Sequence, residues 1–229
     1  MDLGLKNKVA LVTGAGSQKG FGKSIALALA KEGCDVIVAD ADLKGAKQTA
    51  AEIEALGHNA IALKANISNS EEVNNMVKAG LDKFGRIDIL VNNVGSARMS
   101  SCTEATEEDW RANIDVTLKG AWYCCQAVLP QMLERQSGNI ICLSSTPAVR
   151  GLSQASLYSA ANTGVIGMVK ALAPEVGFKG INVNVIMVPG MNDVDSNAPE
   201  QQDIANVVVF LVSNAASDLT SQTMLTGAW

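Results

Sequence analysis

The sequence predicts an α/β fold in which a doubly wound parallel sheet lies between two layers of helices. Short apolar runs rich in β-branched residues alternate with segments whose apolar residues recur at helical spacing. The apolar runs show no polar alternation, which is typical of strands buried on both faces. The chain has 229 residues, of which 48% are hydrophobic and 18% are charged. These values exclude a disordered chain and favour one domain over residues 1–229.

Seven segments are predicted as strands because each is short, apolar and followed by a turn or a helix. In chain order they are KVALVTG from Lys8, DVIVAD from Asp35, AIALKAN from Ala60, IDILVNN from Ile87, NIICLSS from Asn139, NVNVIMV from Asn182, and Thr223–Leu225. In a sheet of this kind, ligands are expected at the carboxyl ends of the strands.

Helices are predicted between the strands from apolar spacing and from stop signals such as glycine. Their ranges are Phe21 to the residue before Gly33, about Leu43–Leu56, a helix ending near Phe84, Glu107–Arg135, Leu157–Val176 and Ile204–Val212. For the third helix, either Ser68 with Glu71 or Asn69 with Glu72 can form a capping arrangement. Thr106 is the expected cap of the fourth.

Charge and cysteine spacing exclude several classes of protein. The formal net charge of −5 opposes binding to nucleic-acid phosphates. The start of the chain lacks a basic region before an apolar stretch, and no run of about 18 apolar residues occurs. We therefore expect a cytoplasmic protein with no membrane partner. The cysteines show no metal-ligand spacing, so we expect no metal and predict small buried apolar roles for Cys34, Cys102, Cys124, Cys125 and Cys142.

A glycine-rich loop, TGAGSQKGFG from Thr13 to Gly22, follows the first strand and opens into a helix. Glycines let backbone N–H groups approach a pyrophosphate, whose charge is stabilised by a helix N-terminus. The loop departs from GxGxxG because Lys19 holds the place of the third glycine. Taken alone, the loop leaves open a glycine-rich turn that binds no ligand.

Asp40, at the end of the second predicted strand, strengthens the case for a dinucleotide. An acidic side chain at this place accepts hydrogen bonds from adenosine ribose hydroxyls. Its charge repels a 2′-phosphate, so NAD is favoured over NADP. Lys19 could hold that phosphate instead, but a solvated surface charge is the favoured interpretation of this lysine.

From about Lys8 to the C-terminus, these residues resemble the short-chain dehydrogenase/reductase family, which has a Rossmann-like fold. The loop is similar to the family's TGxxxGxG with two more residues, NNVG from Asn92 is similar to NNAG, and Pro189-Gly190 matches the PG beside the nicotinamide. Asn66 stands where the family often has an aspartate beside the adenine. The resemblance implies a cofactor site formed by Gly14, Ser17, Lys19, Gly20, Phe21, Gly22, Asp40, Asn66, Ile67, Asn93, Gly95, Tyr158, Pro189 and Gly190.

The resemblance also implies four catalytic positions, two of which carry other residues here. Tyr158 stands at the family tyrosine, and Ser145, rather than Ser144, stands at the serine that binds the carbonyl oxygen, 13 residues earlier. Asn162 stands where the family has a lysine that binds the nicotinamide ribose and lowers the pKa of the tyrosine. Thr117 stands where an asparagine supports a proton relay. For Asn162 and Thr117, ordinary helix residues without a catalytic duty are the favoured interpretation.

Asparagine at position 162, in place of the family lysine, predicts a catalyst that favours one direction of the reaction. A tyrosine ordinarily has a pKa near 10, and a neutral amide does not favour tyrosinate through net charge. Carbonyl reduction uses the protonated tyrosine, whereas alcohol oxidation needs the tyrosinate. Any activity should therefore favour reduction at neutral pH.

Two further departures follow Gly190. Val194 stands where a family threonine often contacts the nicotinamide amide, and only eight residues separate Gly190 from Pro199. The family usually has a longer segment here that covers the substrate, so we expect a short lid and an open cleft.

Several hypotheses stay open. The first is an NAD-dependent oxidoreductase that transfers a hydride between nicotinamide and a small ketone or secondary alcohol, impaired by the changes at 117 and 162. The alternative is a non-catalytic nucleotide-binding or scaffold member of the family, and a third is an engineered or truncated form. The resemblance also implies a homo-oligomer, tetramer or dimer, formed through helices 107–135 and 157–176 and the last strand.

Overall fold

A computed structural model describes residues 3–189 and 201–227, so Gly190, Val194 and Pro199 lie outside the described residues. Seven parallel strands form one sheet in the order β3-β2-β1-β4-β5-β6-β7. They are β1 (Val9–Thr13), β2 (Asp35–Asp40), β3 (Ala60–Lys64), β4 (Ile89–Asn92), β5 (Gly138–Ser145), β6 (Ile181–Val188) and β7 (Thr223–Leu225). The predicted α/β fold is confirmed.

Helices cover both faces of the sheet. They are α1 (Phe21–Lys31), α2 (Leu43–Ala55), α3 (Ser70–Phe84), α4 (Glu107–Trp110), α5 (Gly120–Arg135), α6 (Pro147–Arg150), α7 (Ser156–Val176) and α8 (Gln201–Val212). One layer contains α1, α2 and α8, with α8 packed beside α1, and the other contains α3, α5 and α7. No helix in the described ranges has the length and apolar character needed to cross a membrane.

The strands are apolar at successive positions because both of their faces are covered. In β1, Ala10 and Val12 pack in the layer of α1, whereas Val9 and Leu11 pack in the layer of α5. All five residues of this strand are buried. Side chains of a strand alternate between faces, so a sheet with two helix layers gives the unbroken apolar runs seen in the sequence.

The predicted helix over 107–135 is helical throughout but not uniform. Residues Arg111–Lys119 form a π-helix between α4 and α5. The expected cap is confirmed: the Thr106 hydroxyl accepts from the Asp109 N–H at 3.2 Å, and the Asp109 carboxylate accepts from the Thr106 N–H at 2.8 Å. π-Helical turns are rare and frequently occur at functional sites. Apolar spacing does not distinguish them from α-helical turns.

The structure decides between the two predicted capping arrangements of α3 and adds one short helix. The cap of α3 is Asn69, whose Oδ1 accepts from the backbone N–H groups of Glu71 and Glu72 at 2.9 and 3.3 Å. Ser68 is therefore not the cap, and the Glu72 carboxylate accepts instead from the Asn66 N–H at 2.9 Å. The short helix α6 after β5 is an element that apolar spacing did not predict.

Four of the five cysteines are buried, as predicted, but Cys102 is exposed, and the prediction for it is wrong. It lies in the connection between β4 and α4, where the chain crosses the surface. Burial raises the pKa of Cys34 and of Cys124 to about 12. A hydrogen bond between Cys125 and Cys142 raises the pKa of Cys125 and lowers that of Cys142, and both thiols are fully buried among core residues.

We expect native protein to react with Ellman's reagent at about one thiol per chain, because reaction needs an accessible thiolate. The same titration in guanidinium chloride should reach all five cysteines. Cys102→Ser should remove the fast native phase and leave the unfolding midpoint unchanged. A second fast thiol in that variant would contradict the burial of the other four.

Candidate active site

A cleft of about 600 Å³ lies at the carboxyl ends of the strands. Its walls come from the segments that follow β1, β2, β3 and β4 and from the ends of β5 and β6. β1 and β4 are neighbours in the sheet, with the strand order running outward from them in opposite directions. Ligands of open α/β sheets bind at such a switch point.

The glycine-rich loop and the NNVG segment are held together at this point. Asn93 donates from Nδ2 to the carbonyl oxygens of Thr13 and Gly14 at 3.0 and 3.1 Å, and its N–H donates to the Thr13 hydroxyl at 3.1 Å. Gly14 has a φ of +67°, which favours glycine. A Cβ at Gly22 would collide with the Gly14 carbonyl oxygen, so the helix packs directly on the loop.

The N-terminus of α1 faces the loop without a side-chain cap. Gly20 is the cap residue, and it has no side chain that could accept a hydrogen bond from the first N–H groups of the helix. The first N–H groups of a helix need partners, and an anion can supply them. This uncapped end and the glycine packing at Gly14 and Gly22 fit a dinucleotide pyrophosphate.

Asp40 borders the same cleft at the end of β2. Its Oδ2 accepts from the Gly16 N–H at 2.8 Å, and its Oδ1 accepts from the Asp42 N–H at 2.9 Å. Two backbone donors therefore fix the carboxylate. Asn66, which follows the neighbouring strand β3, also borders the cleft, and its Oδ1 accepts from the N–H and the hydroxyl of Ser68 at 3.1 and 2.8 Å.

Most of the residues predicted for the cofactor border the cleft. They are Gly14, Ser17, Gly20, Phe21, Asp40, Asn66, Ile67, Asn93, Gly95, Tyr158 and Pro189. Two predicted residues lie outside its walls: Gly22 packs beneath the loop, and Lys19 is exposed while its carbonyl oxygen accepts from Gln201 Nε2 at 2.6 Å. Gly190 falls outside the described residues.

The other end of the cleft contains Tyr158, Asn162 and Thr117. Tyr158 is 9% exposed and Asn162 is 5% exposed. The amide of Asn162 donates back to the Tyr158 carbonyl oxygen at 3.0 Å, one turn earlier in α7. The Thr117 hydroxyl accepts from the Ser96 N–H at 3.2 Å. Asn162 and Thr117 therefore both bond to protein backbone groups.

The two serines that end β5 differ in their surroundings. Ser144 borders the cleft, and its hydroxyl donates to the Asn162 carbonyl oxygen at 3.1 Å. Ser145 does not border the cleft, but its hydroxyl is buried and has no hydrogen-bond partner among the described residues. A buried hydroxyl without a partner requires an explanation, and a ligand oxygen would supply one. Ser145 stays the predicted carbonyl-binding serine.

A polar cluster that the sequence did not predict holds the loop after β4. Arg98 forms ion pairs with Glu108 and Asp109 at 2.7 and 2.6 Å, and its carbonyl oxygen accepts from Asn113 Nδ2 at 2.9 Å. The hydrogen bond and charge of Glu108 raise the pKa of Arg98, and hydrogen bonds from Thr106 lower the pKa of Asp109. The capping sequence before α4 indicates a structural role for Asp109, but no sequence spacing indicates that Arg98 pairs with it.

Comparison with known proteins decides the family. A family model described as short chain dehydrogenase matches residues 8–205. The chain belongs to the short-chain dehydrogenase family. This assignment confirms the resemblance and places the protein among oxidoreductases that bind a nicotinamide cofactor.

Individual members of the short-chain dehydrogenase family match nearly the whole chain. BbsD of Thauera aromatica, a (2S)-[(R)-hydroxy(phenyl)methyl]succinyl-CoA dehydrogenase subunit, is 38% identical over 97% of this chain and 96% of its own. FabG of Staphylococcus aureus, a 3-oxoacyl-[acyl-carrier-protein] reductase, is 39% identical over 95% of both chains. The crystal structure of a short-chain alcohol dehydrogenase from Sinorhizobium meliloti matches with a TM-score of 0.90 and 31% identity, over 96% of this chain and 94% of that one.

The alignment with BbsD is longer than this chain. It extends over 241 positions, whereas the chain has 229 residues. At least 12 positions of the alignment therefore have no counterpart in this chain. All seven strands are nevertheless present, so the missing positions lie in connections or at element ends.

Proposed function

We propose that the protein is an NAD(H)-dependent oxidoreductase that reduces a small ketone to a secondary alcohol. One observation carries the proposal: a single cleft has the glycine loop and Asp40 at one end and Tyr158 at the other. The bound nicotinamide would supply or accept the hydride. Gly14, Gly20 and the N-terminus of α1 would hold the pyrophosphate, and Asp40 would accept hydrogen bonds from the ribose hydroxyls.

In this reaction Tyr158 would donate its phenolic proton to the carbonyl oxygen, while the Ser145 hydroxyl donates a hydrogen bond to the same oxygen. This role requires the Ser145 hydroxyl, which has no hydrogen-bond partner among the described residues, to turn into the cleft that its neighbour Ser144 borders. Asn162 contributes no charge, and its amide is already bonded to the Tyr158 carbonyl oxygen. An ordinary tyrosine is protonated at neutral pH, and reduction uses that form.

The preference for NAD over NADP rests on Asp40, and Asp40→Ser tests it. The wild-type protein should bind NADH about ten- to a hundredfold more tightly than NADPH, because the carboxylate repels a 2′-phosphate and accepts ribose hydrogen bonds. Asp40→Ser should remove most of this ratio in a fluorescence titration. Asp35→Ser, at the opposite end of β2, removes the same charge far from the cleft and should leave the ratio unchanged.

A non-catalytic nucleotide-binding role is the second candidate, and it is favoured by the engagement of Asn162 and Thr117 with backbone groups. A mixed panel of ketones, assayed with NADH in the cuvettes of the binding titration, separates the two functions. NADH oxidation supports the reductase. Tight NADH binding with no turnover across the panel would support the sensor or scaffold.

The expectations about the lid, the location, the domain and the oligomer are also part of this proposal. The short lid predicted between Gly190 and Pro199 lies outside the described residues and stays a prediction. A cytoplasmic location, one domain over 1–229, and a homo-oligomer stay predictions. Exposed Trp110 and Trp122, in the helical segment expected at the subunit interface, support the oligomer. Light scattering that gives a monomer mass would contradict it.

A further inference from the structure

Gln18 in the glycine loop connects the loop to α2. Gln18 donates from Nε2 to the carbonyl oxygens of Gly16 and Gly45 at 2.9 and 3.2 Å. Its Oε1 accepts from Lys23 Nζ at 2.6 Å, and Lys23 also pairs with Glu52 of α2 at 2.7 Å. One side chain therefore links the loop to both α1 and α2.

The residue whose carbonyl oxygen Gln18 holds is also the residue whose N–H orients Asp40. The Gly16 N–H donates to Asp40 Oδ2 at 2.8 Å. The Gly16 carbonyl oxygen is packed so closely against α2 that a Cβ at Gly45 would collide with it. Beside it, the buried Thr49 hydroxyl donates to the Ala15 carbonyl oxygen at 2.8 Å. α2, the loop and the Asp40 carboxylate thus form one hydrogen-bonded unit at the adenosine end of the cleft.

We propose that Gln18 is a positioning residue for cofactor selection: by binding the Gly16 carbonyl oxygen it fixes Gly16, whose N–H in turn fixes the Asp40 carboxylate that discriminates NADH from NADPH. The inference rests on the proposed NAD(H) binding. Without the hydrogen bonds of Gln18, the loop populates its binding geometry less often, which weakens the apparent affinity for either nucleotide. The affinity for NADH falls more than the affinity for NADPH, because only NADH binding gains from an oriented Asp40 carboxylate.

Gln18→Met tests this, since methionine keeps the length of the side chain and removes its hydrogen bonds. NADH and NADPH dissociation constants are measured by fluorescence titration. We expect NADH to bind about three- to tenfold more weakly and the NADH/NADPH affinity ratio to fall. Gln18→Leu also removes the Nε2 donors and adds no charge, so it should lower the ratio as well. It provides a second reading if the methionine variant folds poorly.

The chain offers a matched control at the far end of the sheet. Gln131 also donates from Nε2 to two carbonyl oxygens, of Ile87 and Val128 at 2.9 and 3.0 Å, and accepts from Arg135 at 2.7 Å. Gln131→Met should lower the unfolding midpoint and leave the NADH/NADPH ratio unchanged. If both glutamine variants lower the ratio equally, the effect of Gln18 is general destabilisation, and the inference is overturned.

A double-mutant cycle with Asp40→Ser tests whether Gln18 acts on cofactor selection through Asp40. If Gln18 acts on selection through Asp40, adding Gln18→Met to Asp40→Ser leaves the NADH/NADPH ratio of that variant unchanged. An additive change overturns the inference, as does an unaltered ratio in Gln18→Met alone. Both results leave the proposed function intact. Failure of the wild-type protein to bind either nucleotide would instead overturn the proposed function, and the inference with it.

Discussion

Asn162→Lys is expected to raise alcohol oxidation at pH 7 by about ten- to a thousandfold. Asn162 lies one turn after Tyr158 in α7, and both border the cleft, so an ammonium group introduced there has access to the phenol. A nearby positive charge favours tyrosinate and lowers the pKa of a tyrosine by one to three units. Each unit multiplies the tyrosinate fraction at neutral pH about tenfold, and oxidation needs that form.

The measurement is the initial rate of NADH formation from a panel of secondary alcohols between pH 6 and pH 10. The alkaline rise in rate should move to lower pH in the lysine variant. Asn162→Met is the matched control, because it also removes the amide bond to the Tyr158 carbonyl oxygen but brings no charge. Adding Thr117→Asn to Asn162→Lys should increase the rate further. Equal pH profiles for the lysine and methionine variants would show that charge at 162 has no influence on the phenol.

Tyr158→Phe is expected to lower carbonyl reduction by about a hundred- to ten-thousandfold, because it removes the proposed proton donor. NADH affinity should stay within about threefold of wild type, since the glycine loop and Asp40 are unchanged. Tyr123, the chain's second tyrosine, lies on α5 and provides the control. Tyr123→Phe should keep the wild-type rate.

The same variants also separate proton transfer from binding. In wild-type protein, the reduction rate should fall as pH rises through the pKa of the tyrosine, because the proton donor is lost. Tyr158→Phe should remove that dependence, leaving a low rate without the alkaline decline. Unchanged turnover in Tyr158→Phe would exclude this phenol as the proton donor. The choice of Ser145 over Ser144 as the serine that binds the carbonyl oxygen would then also need a new test.

Much of the fold could be predicted from the sequence because burial on both faces leaves a direct pattern. The seven strands and their flanking helices follow from apolar runs bounded by glycines. The π-helix at Arg111–Lys119 could not be predicted, because its residues satisfy α-helical spacing and only the hydrogen-bond register differs. Asn69 and Ser68 are one residue apart and both suit a cap, so local chemistry alone did not choose between them.

The site was predictable where a motif is contiguous and less so where distant segments meet. The glycine loop, Asp40 and NNVG lie at strand ends, so topology alone brings them together. Ser144 and Ser145 are harder, because adjacent strand residues point to opposite faces and an offset of one changes the surroundings completely. The brace from Gln18 to Gly45 and the pairing of Arg98 with Asp109 depend on contacts between separate elements, which no spacing rule contains.

The strand order has a consequence for synthesis on the ribosome. Each strand pairs with an edge that already exists when it emerges: β2 on β1, β3 on β2, β4 on the free side of β1, then β5, β6 and β7 in turn. The sheet can grow outward without opening a completed pair. The last helix, however, covers the first, because Ile204 and Val208 of α8 pack with Ile25 and Leu29 of α1. A nascent chain therefore carries an uncovered apolar face from its first helix until its last has left the exit tunnel, the interval in which chaperone binding and aggregation compete.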